Sequence, residues 1–326
     1  MNWHTSSLDL IGKTPVLQLQ SFDTGLCTLL VKLESMNPGG SIKDRIGQTM
    51  IAAGEQAGVI KTGTVLVEAT AGNTGLGLAL VAARKGYRLI LVIPDKMSAE
   101  KIAHLKALGA EIIITRSDVG KGHPEYYQDL AQRIANETAN SFYIDQFNNP
   151  ANPAAHEFGT GPEIWSDTQG LVNAVVCGVG SGGTLTGLSR FFQKTAPHVA
   201  MVLADPVGSI LKDYVETGVY GAAGSWLVEG IGEDFIPPIA DFSAVKRAFS
   251  VSDADSVATA RKLLRDEGII AGPSSGTLVT AAVRYCQEQK SAKTVLTFIC
   301  DTGNKYLSKI FNDSWLKSHG FLLENL

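Results

Sequence analysis

A lysine stands where a helix start is least suited to a cation. In Asn37-Pro38-Gly39-Gly40-Ser41-Ile42-Lys43-Asp44-Arg45 a glycine turn runs into a segment whose apolar residues Ile42, Ile46, Met50 and Ile51 recur at helical spacing until Gly58. Ser41 is a good N-cap, and Asp44, three positions on, completes the S-x-x-D pattern of a capping box, so Lys43 falls in the first turn. The helix dipole favours anions there and should push an ammonium toward the neutral amine, the form that attacks carbonyls. Taken alone, Lys43 also reads as a solvated surface lysine beside a turn.

Three further segments could do chemistry. Thr70-Ala71-Gly72-Asn73-Thr74-Gly75 follows the apolar run Val65–Ala69 and opens the apolar helix Leu76–Arg84. Its small residues admit a ligand to the backbone, and N–H groups at a helix start bind carboxylate or phosphate. An ordinary strand-to-helix turn uses the same residues. Gly178-Val179-Gly180-Ser181-Gly182-Gly183-Thr184 stands between the run Ala174-Val175-Val176-Cys177 and a helix around Leu185–Lys194, and its glycines and hydroxyls make a phosphate cradle. It is not a clean G-x-G-x-x-G, lies in mid-chain and lacks the lysine spacing of a P-loop, which tells against a nicotinamide-dinucleotide fold. Gly272-Pro273-Ser274-Ser275-Gly276 precedes the helix Thr277–Gln289 and, on its own, is an N-capping serine pair.

The elements that must carry these segments follow a regular alternation. Apolar, β-branched runs at Thr64–Thr70, Arg88–Pro94, Ala110–Thr115, Ser141–Phe147, Leu171–Gly180, Ala200–Pro206 and Thr294–Asp301 read as strands, separated by helices such as Ser98–Leu108, Glu125–Thr138 and Ser256–Glu267. Continuous apolar runs suit strands buried on both faces, so the fold class is α/β, with two lobes of mostly parallel twisted sheets flanked by helices. The break at Asn148-Asn149-Pro150-Ala151-Asn152-Pro153 marks the seam. Residues 1–40 with 146–326 are expected to form a larger, cofactor-anchoring lobe, and 41–145 a smaller, mobile, substrate-binding lobe. In open α/β sheets ligands sit beyond the carboxyl ends of the strands, and a ligand site is expected where the lobes meet.

Composition narrows the partner. A chain of 326 residues, 44% hydrophobic and 18% charged, can bury a substantial core without staples. Cys27, Cys177, Cys286 and Cys300 lie in mostly apolar surroundings without a C-x-x-C pair, which fits reduced thiols in a cytoplasmic protein. The six histidines show no metal-ligand spacing, so no metal is expected. A net charge of −4 without a basic block lacks the footprint that nucleic acid or anionic membranes require, and no signal-like or membrane-spanning run is present. The expected partner is a small molecule.

Taken jointly, a lysine able to form a Schiff base, a monophosphate cradle, an asparagine turn and a serine hydroxyl describe a pyridoxal 5′-phosphate site. With motifs in the same order from Ile11-Gly12-Lys13-Thr14-Pro15 to Tyr306-Leu307-Ser308-Lys309, the chain resembles the fold-type-II, tryptophan synthase β-like pyridoxal-phosphate enzymes. Within them it is similar to the cysteine synthase/cystathionine β-synthase family. The resemblance implies that Lys43 binds the cofactor covalently and is the catalytic base. It implies that Asn73 bonds the 3′ oxygen, that Gly180, Ser181, Gly182, Gly183 and Thr184 hold the phosphate, and that Ser274 bonds the pyridine nitrogen. Thr70, Ala71, Gly72, Thr74 and Gln146 would hold the substrate α-carboxylate, and Gly230-Ile231-Gly232 would line the thiol side. The implied reaction is β-replacement through an aminoacrylate, and the implied assembly a homodimer.

Within that family, Pro94-Asp95-Lys96-Met97-Ser98 with Lys101-Ile102, His123-Pro124-Glu125-Tyr126-Tyr127, Glu229–Pro237 and Lys309–Trp315 lean toward the cystathionine-forming branch. Ala71, Glu233 and Phe147 depart from its usual residues at positions that could line the substrate. A homocysteine acceptor carries charges that sulfide lacks, and Glu233 is a candidate contact for its ammonium. The expectation is a catalytic core that condenses serine or O-acetylserine with homocysteine, without a haem-binding extension or a C-terminal regulatory pair. The alternative is a cysteine synthase using O-acetylserine and sulfide. Of another class, a non-catalytic binding protein on the same fold would not need Lys43, Asn73 and Ser274 intact, and a nicotinamide-dependent dehydrogenase has no use for Lys43 or Ser274.

Overall fold

The computed structural model describes every residue except Met1, Asn2, Ala71, Lys96, Ser98 and Leu326, so three of the positions singled out above, Ala71, Lys96 and Ser98, lie outside the described residues. Ten strands are found among the described residues: β1 (Val16–Gln18), β2 (Thr28–Lys32), β3 (Val65–Ala69), β4 (Arg88–Pro94), β5 (Glu111–Thr115), β6 (Ser141–Tyr143), β7 (Val172–Gly178), β8 (Ala200–Pro206), β9 (Val245–Val251) and β10 (Thr294–Phe298). The chain divides into two compact units, Met1–Ile11 with Asn37–Ala155 and Gly12–Met36 with His156–Leu326.

The smaller unit holds a four-stranded, all-parallel sheet in the order β5-β4-β3-β6. Its strands alternate between two cores. Leu66, Leu89, Leu91 and Ile93 pack on one face with Ile46, Met50 and Leu78 of the helices Lys43–Gln56 and Asn73–Lys85. Val65, Val67, Ala69, Ile90 and Val92 pack on the other with Ala131 and Ala135 of the helix Tyr127–Glu137. Burial on both faces is what the continuous apolar runs encode. The unit takes in more chain at both ends than the expected 41–145. Leu8 is buried among Ile46, Met50 and Ile51, Gln48 Nε2 donates to the Leu8 carbonyl at 3.2 Å, and Ala151 and Ala155 join the same core.

The larger unit holds a six-stranded sheet in the order β1-β2-β10-β7-β8-β9, antiparallel only at the β1–β2 edge. The helix Pro273–Gln287 lies across β10, β7, β8 and β9, with the helix Asp253–Glu267 packed on it. Three strands, β1, β2 and β9, lie outside the expected set, and one expected strand, β6, is shorter than its run. β1 has three residues, and β9 is an edge strand carrying Lys246 and Arg247, a charge pattern that protects an edge and hides it from a hydrophobic-run reading. β6 stops at Tyr143 and not at Phe147, because Asp145 adopts φ 53° and its carbonyl accepts from the Asn148 and Asn149 N–H groups, closing a turn.

Candidate active site

In the smaller unit, Lys43 is half-buried and is the first residue of its helix, but the expected capping box does not form. Ser41 Oγ accepts from Lys43 N at 3.2 Å, and the Asp44 carboxylate accepts from Gly39 N, two residues further back than the box requires. Asp44 thereby ties the glycine turn to the helix, and a Cβ on Gly39 would meet that carboxylate. The Lys43 and Asn73 helices touch backbone to backbone. A Cβ on Gly77 would lie 2.6 Å from the Lys43 carbonyl oxygen, and one on Gly47 would lie 2.6 Å from the Gly77 carbonyl carbon. Two glycines therefore hold the lysine's end of one helix against the other.

The Asn73–Lys85 helix begins at an extended Gly72 and has no side-chain cap. Such a start is a ready site for an anion. Thr70 is buried and its Oγ1 accepts from Gly72 N at 3.1 Å. Thr74 is also buried, and its hydroxyl donates to Gln146 Oε1 at 2.7 Å. Gln146 Nε2 donates to the Ala69 carbonyl at 3.2 Å and to Glu68 Oε1 at 3.5 Å, while Gln146 N donates to Glu68 Oε2 at 3.3 Å. Thr70, Gly72, Asn73, Thr74 and Gln146 are thus brought together at the end of β3. Phe147 follows in the same turn and is buried.

Glu68 was not among the residues picked out by sequence, although an acid inside Val65-Leu66-Val67-Glu68-Ala69 is a legible anomaly. Burial, and secondarily the charge of Asp145, push its carboxyl well above the usual range, opposed in part by hydrogen bonds from Gln146 and Ala69.

In the larger unit the candidate residues present mainly backbone. Gly178, Gly180 and Gly182 end β7 where a side chain would collide: a Cβ would lie 2.7 Å from Ile231 Cγ2, 2.7 Å from the Gly230 oxygen and 2.6 Å from Ala240 Cβ respectively. Gly182, at φ +90°, is also in the left-handed region that favours glycine. It precedes the helix Gly183–Thr195, which has no side-chain cap. Gly232 N donates to the Val179 carbonyl at 2.8 Å, pinning the Gly230–Gly232 loop to the cradle, and Glu233 Oε1 approaches within 4.0 Å of where a Gly180 Cβ would be. Thr184 Oγ1 lies 3.2 Å from Nε2 of His156, a fully buried ring whose Nδ1 lies 2.9 Å from Thr160 Oγ1. Ser181, like Ser274, is 5% exposed.

The serine pair does not cap its helix. Gly272 occupies the cap position with Pro273 next, and Ser275 Oγ accepts from Cys300 N at 3.0 Å. The Ser274 hydroxyl is left outside any cap. Asp205, at the end of β8, accepts from Lys212 N at 2.9 Å, and burial raises its carboxyl to about 6. Among the described residues no group of three or more His, Cys, Asp or Glu could hold a metal ion, and no helix is long and apolar enough to cross a membrane. The four cysteines are free, and Cys177 and Cys286 carry thiols raised by burial.

A bare glycine cradle, a helix start without a capping side chain and a serine held out of its helix cap fit a phosphorylated pyridine. The family model for "Pyridoxal-phosphate dependent enzyme" matches residues 8–301. The chain belongs to this pyridoxal-phosphate dependent enzyme family. Its cofactor is pyridoxal 5′-phosphate. Among family members, it is 40% identical over 316 residues to "Cystathionine beta-synthase" of Dictyostelium discoideum, an alignment covering 97% of this chain and 63% of that protein. The chain spans about six tenths of the length of the curated relatives it matches. Among solved structures, an O-acetylserine dependent cystathionine β-synthase from Helicobacter pylori shares 36% identity at a TM-score of 0.86, covering 95% of this chain and 99% of that one. A hydrogen sulfide-producing enzyme from Fusobacterium nucleatum shares 33% at 0.87, covering 94% and 100%.

Proposed function

We propose that the chain catalyses pyridoxal-phosphate dependent β-replacement, joining serine or O-acetylserine to homocysteine to give cystathionine. Lys43, Asn73, Gly180, Ser181, Gly182, Gly183, Thr184 and Ser274 are the proposed cofactor ligands. Thr70, Ala71, Gly72, Thr74 and Gln146 are the proposed carboxylate site. The observation that carries the reading is Ser274: a neutral hydroxyl, uncommitted to its helix cap, is the proposed partner of the ring nitrogen. A carboxylate there would protonate the ring, whereas a hydroxyl leaves it largely neutral and suits prompt β-elimination.

When bound, the cofactor supplies an electron sink for negative charge developing at the substrate Cα. The uncapped start of the Asn73 helix holds the α-carboxylate and aligns the Cα–H bond. Lys43 removes the Cα proton as general base and returns a proton to Cα after the new bond forms. Loss of the β-substituent opens Cβ to the thiol, with Gly230 and Glu233 on the thiol side. Support for homocysteine comes from the 40% identity to a cystathionine β-synthase and from Glu233, an acid suited to an ammonium. A cysteine synthase activity is the second reading; a relative that produces hydrogen sulfide handles the same small acceptor, released there and consumed in this reading. A homodimer and a cytoplasmic location belong to the proposal through the family resemblance and the charge pattern, and light scattering on the purified chain tests the dimer.

The test supplies purified holoenzyme with serine or O-acetylserine and lets homocysteine and sulfide compete. Cystathionine as the dominant product is expected, and Glu233→Ala should raise the KM for homocysteine about three- to tenfold with little change in the donor KM. Cysteine formation with negligible use of homocysteine would replace this reading with the second.

A further inference from the structure

β3 carries its acid on the wrong side for an ordinary strand. Val65, Val67 and Ala69 point into one core and Leu66 into the other, so Glu68 shares the face on which Leu66, Leu89, Leu91 and Ile93 pack. It is paired in register with Leu91 of β4 and is fully buried. Among the described residues it has no ion-pair partner, and the nearby ionisable groups that act on it or feel it are Asp145 and Tyr143, an acid and a phenol. A lone charged carboxyl in such a place suffers a heavy desolvation penalty, and an apolar residue would pack more cheaply.

What the carboxyl does is hold Gln146. Both Glu68 oxygens accept from that residue, one from its backbone N–H and one from its side-chain amide. The amide orientation follows from its neighbours: the Ala69 carbonyl can only accept, so the NH₂ faces β3 and Oε1 faces outward, where the Thr74 hydroxyl donates to it. Thr74 is the second residue of the Asn73–Lys85 helix. A continuous chain of hydrogen bonds therefore runs from the centre of the sheet to the first turn of the helix that offers its N–H groups to an anion.

We propose that Glu68 positions Gln146 and, through it, Thr74 for the α-carboxylate of the donor amino acid. This rests on the carboxylate role proposed above for Thr70, Thr74 and Gln146. The protonation state of Glu68 matters to the role. A negative charge behind the site would repel the incoming carboxylate, and burial, with the charge of Asp145, pushes the Glu68 carboxyl well above the usual carboxylate range, in the direction of the neutral acid. Glu68 touches neither reacting atom nor cofactor in this account; it is a positioning residue.

The test uses holoenzyme and two probes that differ by the carboxylate alone: L-alanine, which lacks a β-leaving group, and ethylamine, which also lacks the carboxylate. Binding is read from the cofactor's visible spectrum, and bound cofactor is quantified after alkaline release. Glu68→Leu should weaken alanine about tenfold or more, leave ethylamine within about twofold, and retain full cofactor content. Glu68→Gln keeps one acceptor but turns an NH₂ onto the second Gln146 donor, so it should lose alanine affinity less than Glu68→Leu does without restoring it fully. Glu68→Asp keeps the chemistry, draws the acceptors back by one methylene, and should show the same selective loss if Glu68→Leu does not fold. Unchanged alanine binding in Glu68→Leu or Glu68→Asp overturns the proposal, as does an equal loss of both probes or a loss of cofactor, which would mark a purely structural role. Thr74→Val separates the two levels: if it also leaves alanine unaffected, the carboxylate reading itself fails, whereas a loss there with none at Glu68 refutes only the positioning role.

Discussion

The two units carry their candidate site residues by opposite means. The smaller unit works through side chains: Lys43 at one helix start, and a buried relay of Glu68, Gln146 and Thr74 behind another. The larger unit works through their absence. Gly178, Gly180 and Gly182 present backbone where a Cβ would come within 2.7 Å of neighbouring atoms. The contrast teaches that the first region should be sensitive to chemistry at nearly constant shape, and the second to a single added carbon whatever its chemistry.

The largest effect in the larger unit should come from Gly180→Val. Its added carbons meet the Gly230 carbonyl, which is backbone and cannot move aside cheaply, so cofactor affinity should fall by roughly a hundredfold or more by titration of the apoprotein. Retained affinity would mean that the cradle is not the phosphate site. In the smaller unit the comparable lesion is Gly77→Val, where the new side chain meets the Lys43 carbonyl. It should cost on the order of 3 kcal/mol in denaturant unfolding, and a cost below about 1 kcal/mol would show that the two helices can separate without penalty.

A smaller effect sharpens the comparison through pH. Asp205 is raised by burial to about 6, above its unfolded value near 3.9, so the folded state binds its proton more tightly than the unfolded chain. That contribution opposes folding as pH rises through the interval from about 4 to 6 and is fully unfavourable above it. Asp205→Asn keeps an acceptor for Lys212 N and should be more stable than the parent by on the order of 1–3 kcal/mol at pH 8, with the difference vanishing near pH 4. A constant difference across that range would mean that the carboxyl titrates normally.

Much of this arrangement was legible in the residues. The seven expected strands are all present, and Thr70–Thr74, Gly178–Thr184 and Gly272–Gly276 each fall at a helix start, because runs of buried β-branched residues and glycine turns are local signals. What escaped was non-local. β9 is an edge strand whose charges mask its pattern, and β6 ends early because Asp145 turns left-handed. Asp44 reaches Gly39 and not the Ser41 backbone, which a spacing rule cannot distinguish. Glu68 was visible as an acid in an apolar run, but its partner lies 78 positions away in sequence. The placement of Leu8 with Ile46 and Met50 is likewise set by packing and by no signal in its own segment.

The central claim is that Lys43, set at the start of its helix against the Asn73 helix, is the residue that binds the cofactor and moves the proton. Borohydride reduction of the holoenzyme, digestion and mass mapping test it directly. A single reduced adduct of the cofactor on the Lys43 peptide is expected, together with loss of both adduct and turnover in Lys43→Ala. An adduct on any other lysine, or full turnover in Lys43→Ala, would contradict the account.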